Sequence, residues 1–273
     1  MNKPLVSIIT VCYNAAQVLE STILSILSQK YEDIEYIIID GGSNDGTIDI
    51  INNYSDKISY WISEPDSGIY EAMNKGITMS HGEWLCFMNA GDFFVNSKVV
   101  SDVVSYLSED ISVFHGNIVK VYKNHKEVGH QLNKENIDIV DFFYGTIDHQ
   151  AAFIKKSMFE KYGKYDTSFQ LAADWFFFMK VIGLNRERCR YVNMDIAFFQ
   201  MDGKSTKHSN EYEREKTLAL QKEFGVYYSY LKELSEYRLS SLIGYLFKIR
   251  MYLRKKGVLK HLRTFFSIKF SVR

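Results

Sequence analysis

Through its first hundred residues the chain alternates short apolar runs with stretches of helical spacing. Residues 5–13 are β-branched and apolar, which predicts a buried strand. Leu19, Ile23, Ile26 and Leu27 then recur on one face of a helix. Residues 36–40 (Tyr-Ile-Ile-Ile-Asp) read as a second strand, 48–54 as a helix, 58–62 as a third strand, Ile69–Met79 as a helix and 84–88 as a fourth strand. This alternation predicts βαβ units in a doubly wound, mainly parallel, Rossmann-like α/β sheet. Beyond residue 111 the pattern shifts to strands over 113–122 and 151–155, with helices over Lys156–Tyr162 and 172–182. A C-terminal helical extension follows over 211–224 and 228–254.

Several predicted strands end on or beside acids. Asp40 closes the second strand and opens Gly-Gly-Ser-Asn-Asp-Gly-Thr; Asn89-Ala-Gly-Asp92 follows the fourth; Asp174 begins the helical run Asp-Trp-Phe-Phe-Phe-Met. Ligands of open α/β sheets bind at the carboxyl ends of strands, so acids there are candidate ligand contacts. Each also has a local reading: Asn44 or Asp45 can cap the next helix, and Asp174 can serve as an N-cap. His149, just before a strand, lies on the acceptor side of the expected cleft; a lone histidine is otherwise a surface or hydrogen-bonding residue. The loops lack GxGxxG and Walker A patterns, so neither a dehydrogenase nor a P-loop enzyme is expected.

Five segments together resemble the family 2 glycosyltransferases of GT-A fold, especially bacterial enzymes that build surface polysaccharides. They are Val6-Ser-Ile-Ile-Thr-Val-Cys-Tyr-Asn14, Asp40-Gly-Gly-Ser-Asn-Asp-Gly-Thr47, Asp66-Ser-Gly-Ile-Tyr-Glu-Ala-Met-Asn-Lys-Gly76, Asn89-Ala-Gly-Asp92 and Ala173-Asp174-Trp175. The resemblance covers residues 4–205 and implies inverting transfer of a sugar from a nucleoside-diphosphate donor, a UDP-sugar above all. It implies that Val11 and Tyr13 contact the nucleoside, that Asp40 binds base or ribose, and that Asp66, Asn74 and Asn89 lie on the donor side. Met73 stands where many relatives carry Arg, and Lys75 is its nearest substitute. Asp92 would bind a divalent cation, Mn²⁺ or Mg²⁺, although Asn89 and Gly91 replace the other acids of the usual turn. Asp174 would be the general base, and the loop holding His208 could close over the donor. The domains implied are a catalytic unit over 1–205, with a donor half (1–110) and an acceptor half (111–205), and a helical basic extension over 206–273.

Charge sharpens that last division. Residues 237–273 hold ten Lys/Arg and no acid; with 33 of each sign in the 273-residue chain, residues 1–236 keep 23 bases against 33 acids. An acid-free basic segment interleaved with Phe247, Leu253 and Phe266 fits an anionic membrane surface, where a lipid-linked saccharide acceptor would lie. The acidic body argues against nucleic acid as a partner. Cys12, Cys86 and Cys189 are widely spaced, as buried thiols in a reducing compartment would be, and no apolar run is long enough to span a bilayer. The expectation is a cytoplasmic protein, peripheral on the inner membrane face. Two other classes carry similar strand-end carboxylates: a nucleotidyltransferase, which should show a glycine- and base-rich loop where Asn14-Ala-Ala-Gln17 stands, and a non-catalytic carbohydrate- or membrane-binding relative.

Overall fold

The computed structural model describes residues 5–129, 132–201 and 209–240. In chain order the elements are β1 (Val6–Cys12), α1 (Leu19–Leu27), β2 (Ile34–Asp40), α2 (Thr47–Asn53), β3 (Tyr60–Ser63), α3 (Ile69–Met79), β4 (Trp84–Phe87), β5 (Phe93–Phe94) and α4 (Val99–Val104). They continue with β6 (Val113–Val121), β7 (Lys126–Val128), β8 (Ala152–Lys155), α5 (Lys156–Tyr162), α6 (Ala173–Phe178), β9 (Cys189–Gln200), α7 (Ser209–Phe224) and α8 (Tyr228–Ser240).

The strands form one sheet in the order β3-β2-β1-β4-β8-β6-β9-β5, with β7 added on β6. β1 to β4 are mutually parallel, and β8 runs antiparallel between β4 and β6. β6 and β9 are parallel, and β5 closes the far edge antiparallel to β9. The mainly parallel α/β sheet expected from the alternation is therefore present. β1 shows why its sequence had to be apolar throughout: Val6, Ile8 and Cys12 pack with α1, α2 and α4 on one face, while Ile9 and Val11 pack with α3 and α6 on the other. A strand buried on both sides cannot alternate apolar with polar.

Three strands were not visible in the pattern: the two-residue β5, the short β7 and the long β9. The helix expected over 172–182 divides into α6 and a π-helical turn, Met179–Leu184. The C-terminal helices are not a separate layer. Ala219, Leu220 and Phe224 of α7 and Leu231 of α8 lie in the same core as Trp175, Phe177 and Phe178 of α6. Each large apolar side chain so buried stabilises the fold by roughly 1.5–3 kcal/mol. All three cysteines are free thiols in buried positions, as the apolar runs around Cys12 and Cys86 predict for those two. His208 and the basic segment 237–273, apart from the backbone at the end of α8, lie outside the described residues. Among the described residues no helix is long and apolar enough to cross a membrane.

Because β1–β4 are parallel, their carboxyl ends open on one edge. β8 runs the other way, so its amino end meets the carboxyl end of β4. That geometry assembles the site.

Candidate active site

Two loops form its first wall. Asn14, with φ 48°, accepts the Asn44 N–H on Oδ1 at 3.0 Å and donates its own N–H to Ser43 Oγ at 2.7 Å. Asp45 receives the Ala16 N–H at 3.1 Å. The loops after β1 and β2 are thereby laced together. Between them Gly41 leaves room for two side chains to meet: a Cβ there would stand 2.6 Å from Asp66 Oδ2 and 3.4 Å from the Tyr13 ring. Tyr13 is 58% exposed, presenting a flat face to solvent, and burial raises the Asp66 carboxyl above its ordinary pKa.

Asp40 is differently employed. Its side chain is fully buried and accepts five donors: the Gly42 and Ser43 N–H groups at 3.1 and 2.8 Å, the Ser43 and Ser63 hydroxyls, and the Cys12 thiol at 3.4 Å. Burial pushes its pKa up, but those hydrogen bonds win and hold it below the usual range. Two carboxylate oxygens have about four acceptor sites, so no position is left for a base or ribose. The reading of Asp40 as a nucleotide contact gives way to one in which it shapes the turn beneath Tyr13 and Asp66.

The second wall carries an acid–histidine pair. His149 lies in the short turn His149–Ala151 that leads into β8, and Asp174 is the second residue of α6. His149 Nδ1 and Asp174 Oδ2 are 2.8 Å apart, and the Tyr70 hydroxyl donates to Asp174 Oδ1 at 2.9 Å. Burial raises the Asp174 pKa, but bonds from His149, the Trp175 N–H and Tyr70 outweigh it and lower the net value. His149 shifts the opposite way: burial disfavours the imidazolium, yet Asp174, Asp92 and Asp148 together raise its pKa. The two shifts describe one ion pair.

On the far side of that imidazole, Nε2 lies 3.1 Å from Asn89 Nδ2, while Asn89 Oδ1 is buried without a partner. Turning the amide over replaces the donor-to-donor approach with a hydrogen bond, because Oδ1 then accepts from the protonated Nε2. Asn89 thus stands at the junction of β4 with the His149–Asp174 pair.

Asp92 ends the same turn. Its N–H bonds to the Asn89 carbonyl at 2.9 Å. Thr22 of α1 pins the turn from beneath, donating to the Asp92 carbonyl at 2.8 Å and accepting the Gly91 N–H at 3.0 Å. The Asp92 carboxyl is 6% exposed, and burial pushes its pKa up to about 7 against the opposing pull of His149 and Gln150. Asp148 is likewise raised by burial, to about 6. An acid as buried as Asp92, whose raised pKa shows that its neighbours do not offset the cost of burying its charge, is chemically suited to a divalent cation. Among the described residues no three His, Cys, Asp or Glu side chains converge to hold one alone.

The structure brings Tyr13 and Asp66 together on one wall, and Asn89, His149 and Asp174 on the other. Val11 is buried in the core, its carbonyl bonded to the Ala90 N–H. Asn74 spends both ends of its amide on the Tyr165 main chain, at 2.8 and 3.0 Å, which fastens α3 to the segment before α6. Met73 is wholly buried, and Lys75 pairs with Glu64 and Glu71. Sequence reasoning missed Tyr70, Thr22 and Gln150: Tyr70 sits inside the Asp66–Gly76 segment but nothing local marks its hydroxyl, and Thr22 and Gln150 belong to none of the five segments.

An acid–histidine pair at the open edge of such a sheet, opposite a wall with an exposed aromatic, stands where open α/β sheets bind their ligands. Comparison with known proteins supplies the assignment. The profile described as Glycosyl transferase family 2 matches residues 7–181, and the chain belongs to that family. An uncharacterized glycosyltransferase of Mycobacterium tuberculosis is 34% identical over 186 residues, 65% of this chain and 68% of that one. A PGL/p-HBAD biosynthesis glycosyltransferase of Mycobacterium bovis is 28% identical over 208 residues, 74% and 79% of the two chains. Among solved structures, S. aureus TarS 1–349 in complex with UDP-GlcNAc superposes with TM-score 0.65 at 17% identity, covering 79% of this chain and 66% of that one. The mannosyltransferase PcManGT of Pyrobaculum calidifontis, in complex with GDP-Man and Mn²⁺, has TM-score 0.65 at 15% identity over 98% and 84%. The likeness to these two structures is one of fold.

Proposed function

We propose that this glycosyltransferase moves a sugar, with inversion, from a nucleoside-diphosphate donor to a saccharide hydroxyl, with Asp174 as the base. The observation that carries the reading is the ionised Asp174, held by His149 and Tyr70 beside the carboxyl end of β4. The acceptor oxygen attacks the anomeric carbon while the bond to the diphosphate breaks on the opposite face. The breaking bond's electron pair leaves with the diphosphate, and the hydroxyl proton passes to Asp174. A carboxylate held at low pKa is a weak base, so the proton moves late, once the attacking oxygen has turned acidic. The ring carbon carries oxocarbenium character at that stage.

Tyr13 stacks on the nucleoside base, and Asp66, resting against Gly41, accepts from base or ribose. Asn89 orients His149, which fixes the Asp174 carboxylate. Asp92 would hold one divalent cation, Mn²⁺ or Mg²⁺, with most other ligands from the diphosphate; when bound it would offset the charge of the leaving group. Two fold neighbours were solved with UDP-GlcNAc and with GDP-Man, which supports a nucleotide-sugar donor and favours UDP or GDP in a first screen. The acid-free basic segment 237–273 supports an acceptor carried on an anionic membrane, such as a lipid-linked saccharide of surface-polysaccharide assembly.

Thermal shift against UDP, GDP and their sugars, with and without Mn²⁺, followed by nucleotide-release assays, tests the donor reading. Unchanged melting and no release with every donor would refute it. Asp174→Asn should bind the donor that shifts wild-type melting while transfer falls about 10²–10⁴-fold.

A further inference from the structure

Asp174 is not at the cap position of its own helix, although its carboxylate takes the Trp175 N–H in the first turn. The residue at the cap position, Ala172, has no side chain able to do so. The N–H groups entering α6 bond instead to a carboxylate 43 to 45 positions further along the chain: Gln170 N–H to Glu215 Oε1 at 2.8 Å, and Leu171 and Ala172 N–H to Glu215 Oε2 at 2.9 and 3.0 Å. One side chain on α7 therefore holds the three residues that lead into Ala173 and Asp174.

Glu215 does not act in isolation. Tyr212, Glu215, Lys216 and Ala219 follow helical spacing, so α7 turns one face to α6. Lys216, 4% exposed, lies over the Trp175 ring at 5.4 Å and the Tyr212 ring at 5.2 Å. Tyr212 bonds to Thr146, three residues before His149, and feels the charge of Asp174. Ala219, Leu220 and Phe224 complete the contact in the core. These contacts from α7 to the start of α6 thus come from beyond residue 181, where the family match ends.

We propose that Glu215 is a positioning residue for sugar transfer: by gathering three main-chain N–H groups ahead of α6 it sets the height and direction of the Asp174 carboxylate. The inference rests on the reading of Asp174 as the base, and a displacement on the order of 1 Å in such a group can cost about 10²-fold in rate.

The His149 imidazole supplies a readout that needs no substrate. In the full chain, NMR titration of His149 should show its raised pKa, and Asp174→Asn should remove most of that rise. Glu215→Ala should lower it part of the way, because the carboxylate is no longer held against Nδ1. Glu215→Gln carries the same charge change but keeps one amide oxygen, so it should fall between Glu215→Ala and wild type. Equal values for Gln and Ala would mean that charge alone matters, and would overturn the proposal. So would a wild-type titration in Glu215→Ala when Asp174→Asn responds. With the donor that gives turnover, kcat of Glu215→Ala should drop about 10- to 100-fold at unchanged donor KM, and the same change in an Asp174→Asn background should cost no further rate. An equal loss in both backgrounds would mark a merely structural role. Failure of the base reading looks different: Asp174→Asn would retain transfer, whatever Glu215 does.

Discussion

The Tyr70 hydroxyl and Asp174 Oδ1, 104 residues apart in sequence, are joined by a 2.9 Å hydrogen bond. Tyr70 stands in the first turn of α3, on the donor side of the sheet, and Asp174 in the first turn of α6. The bond ties α3 to α6 at Asp174, the residue proposed as the base. It also helps lower the pKa of Asp174, so Tyr70→Phe should let that pKa rise. A base must be ionised to work; raising its pKa moves the acidic limb of the kcat–pH profile to higher pH. A limb that stays in place would remove Tyr70 from the proton-transfer apparatus.

Asp92 should weaken the protein that depends on it. Its folded pKa, raised to about 7 from an ordinary 3.8, means that native stability from this group is complete below about pH 4 and lost as pH climbs through 7. Asp92→Asn should therefore match wild type near pH 4 and, without metal, exceed it at pH 8 by on the order of 2–4 kcal/mol. The same variant should lose Mn²⁺-dependent stabilisation and turnover. Urea unfolding at the two pH values measures the first effect; a variant less stable at pH 8 would show that His149 and Gln150 outweigh the cost of burying the charge.

Asp40 and Asp66 look alike in sequence and should separate in experiment. Asp40→Asn leaves buried donors facing an amide N–H, with an expected cost of roughly 2–4 kcal/mol in unfolding free energy. Because its folded pKa is depressed, the stability Asp40 contributes is present above its ordinary pKa and lost as pH falls through the lowered value. Asp66→Asn should unfold like wild type and bind nucleotide less tightly. Calorimetric binding that is weakened by Asp40→Asn at full stability, and untouched by Asp66→Asn, would reverse the two assignments.

Tyr13 is exposed enough to be removed without cost to folding. Tyr13→Ala should weaken nucleotide binding by about 1–3 kcal/mol, the usual worth of one base–aromatic stack, and Tyr13→Phe should leave it unchanged. Gly41→Ala should do comparable damage indirectly, since its Cβ would press on the Asp66 carboxylate from 2.6 Å. Fluorescence titration with UDP and GDP distinguishes these outcomes.

How legible was all this along the chain? Where a strand is buried on both faces, as β1, β2 and β4 are, apolar runs declare it. β9 hid because its residues face different surroundings in turn: Ile196 and Ala197 are buried, whereas Asn193 and Asp195 join a polar cluster through the amide of Asn117. β5, two residues directly after Asp92, is too short for any period to show. The acids of the site were visible as acids, but their employment was not. Asp40 owes its saturation partly to Ser63, on the next strand. Asp174 owes its low pKa to a histidine brought near only because β8 runs against β4. Such facts belong to pairings across the sheet, and local spacing does not contain them.

The three N–H bonds to Glu215 also bear on how this enzyme can be rebuilt. Splicing a foreign acceptor-recognition segment onto residues 1–181 would respect the family boundary and still discard the clamp on α6. Chimaeras joined after Phe224 should inherit a working base; those joined at residue 205 must bring a compatible glutamate of their own, or accept a misaligned one.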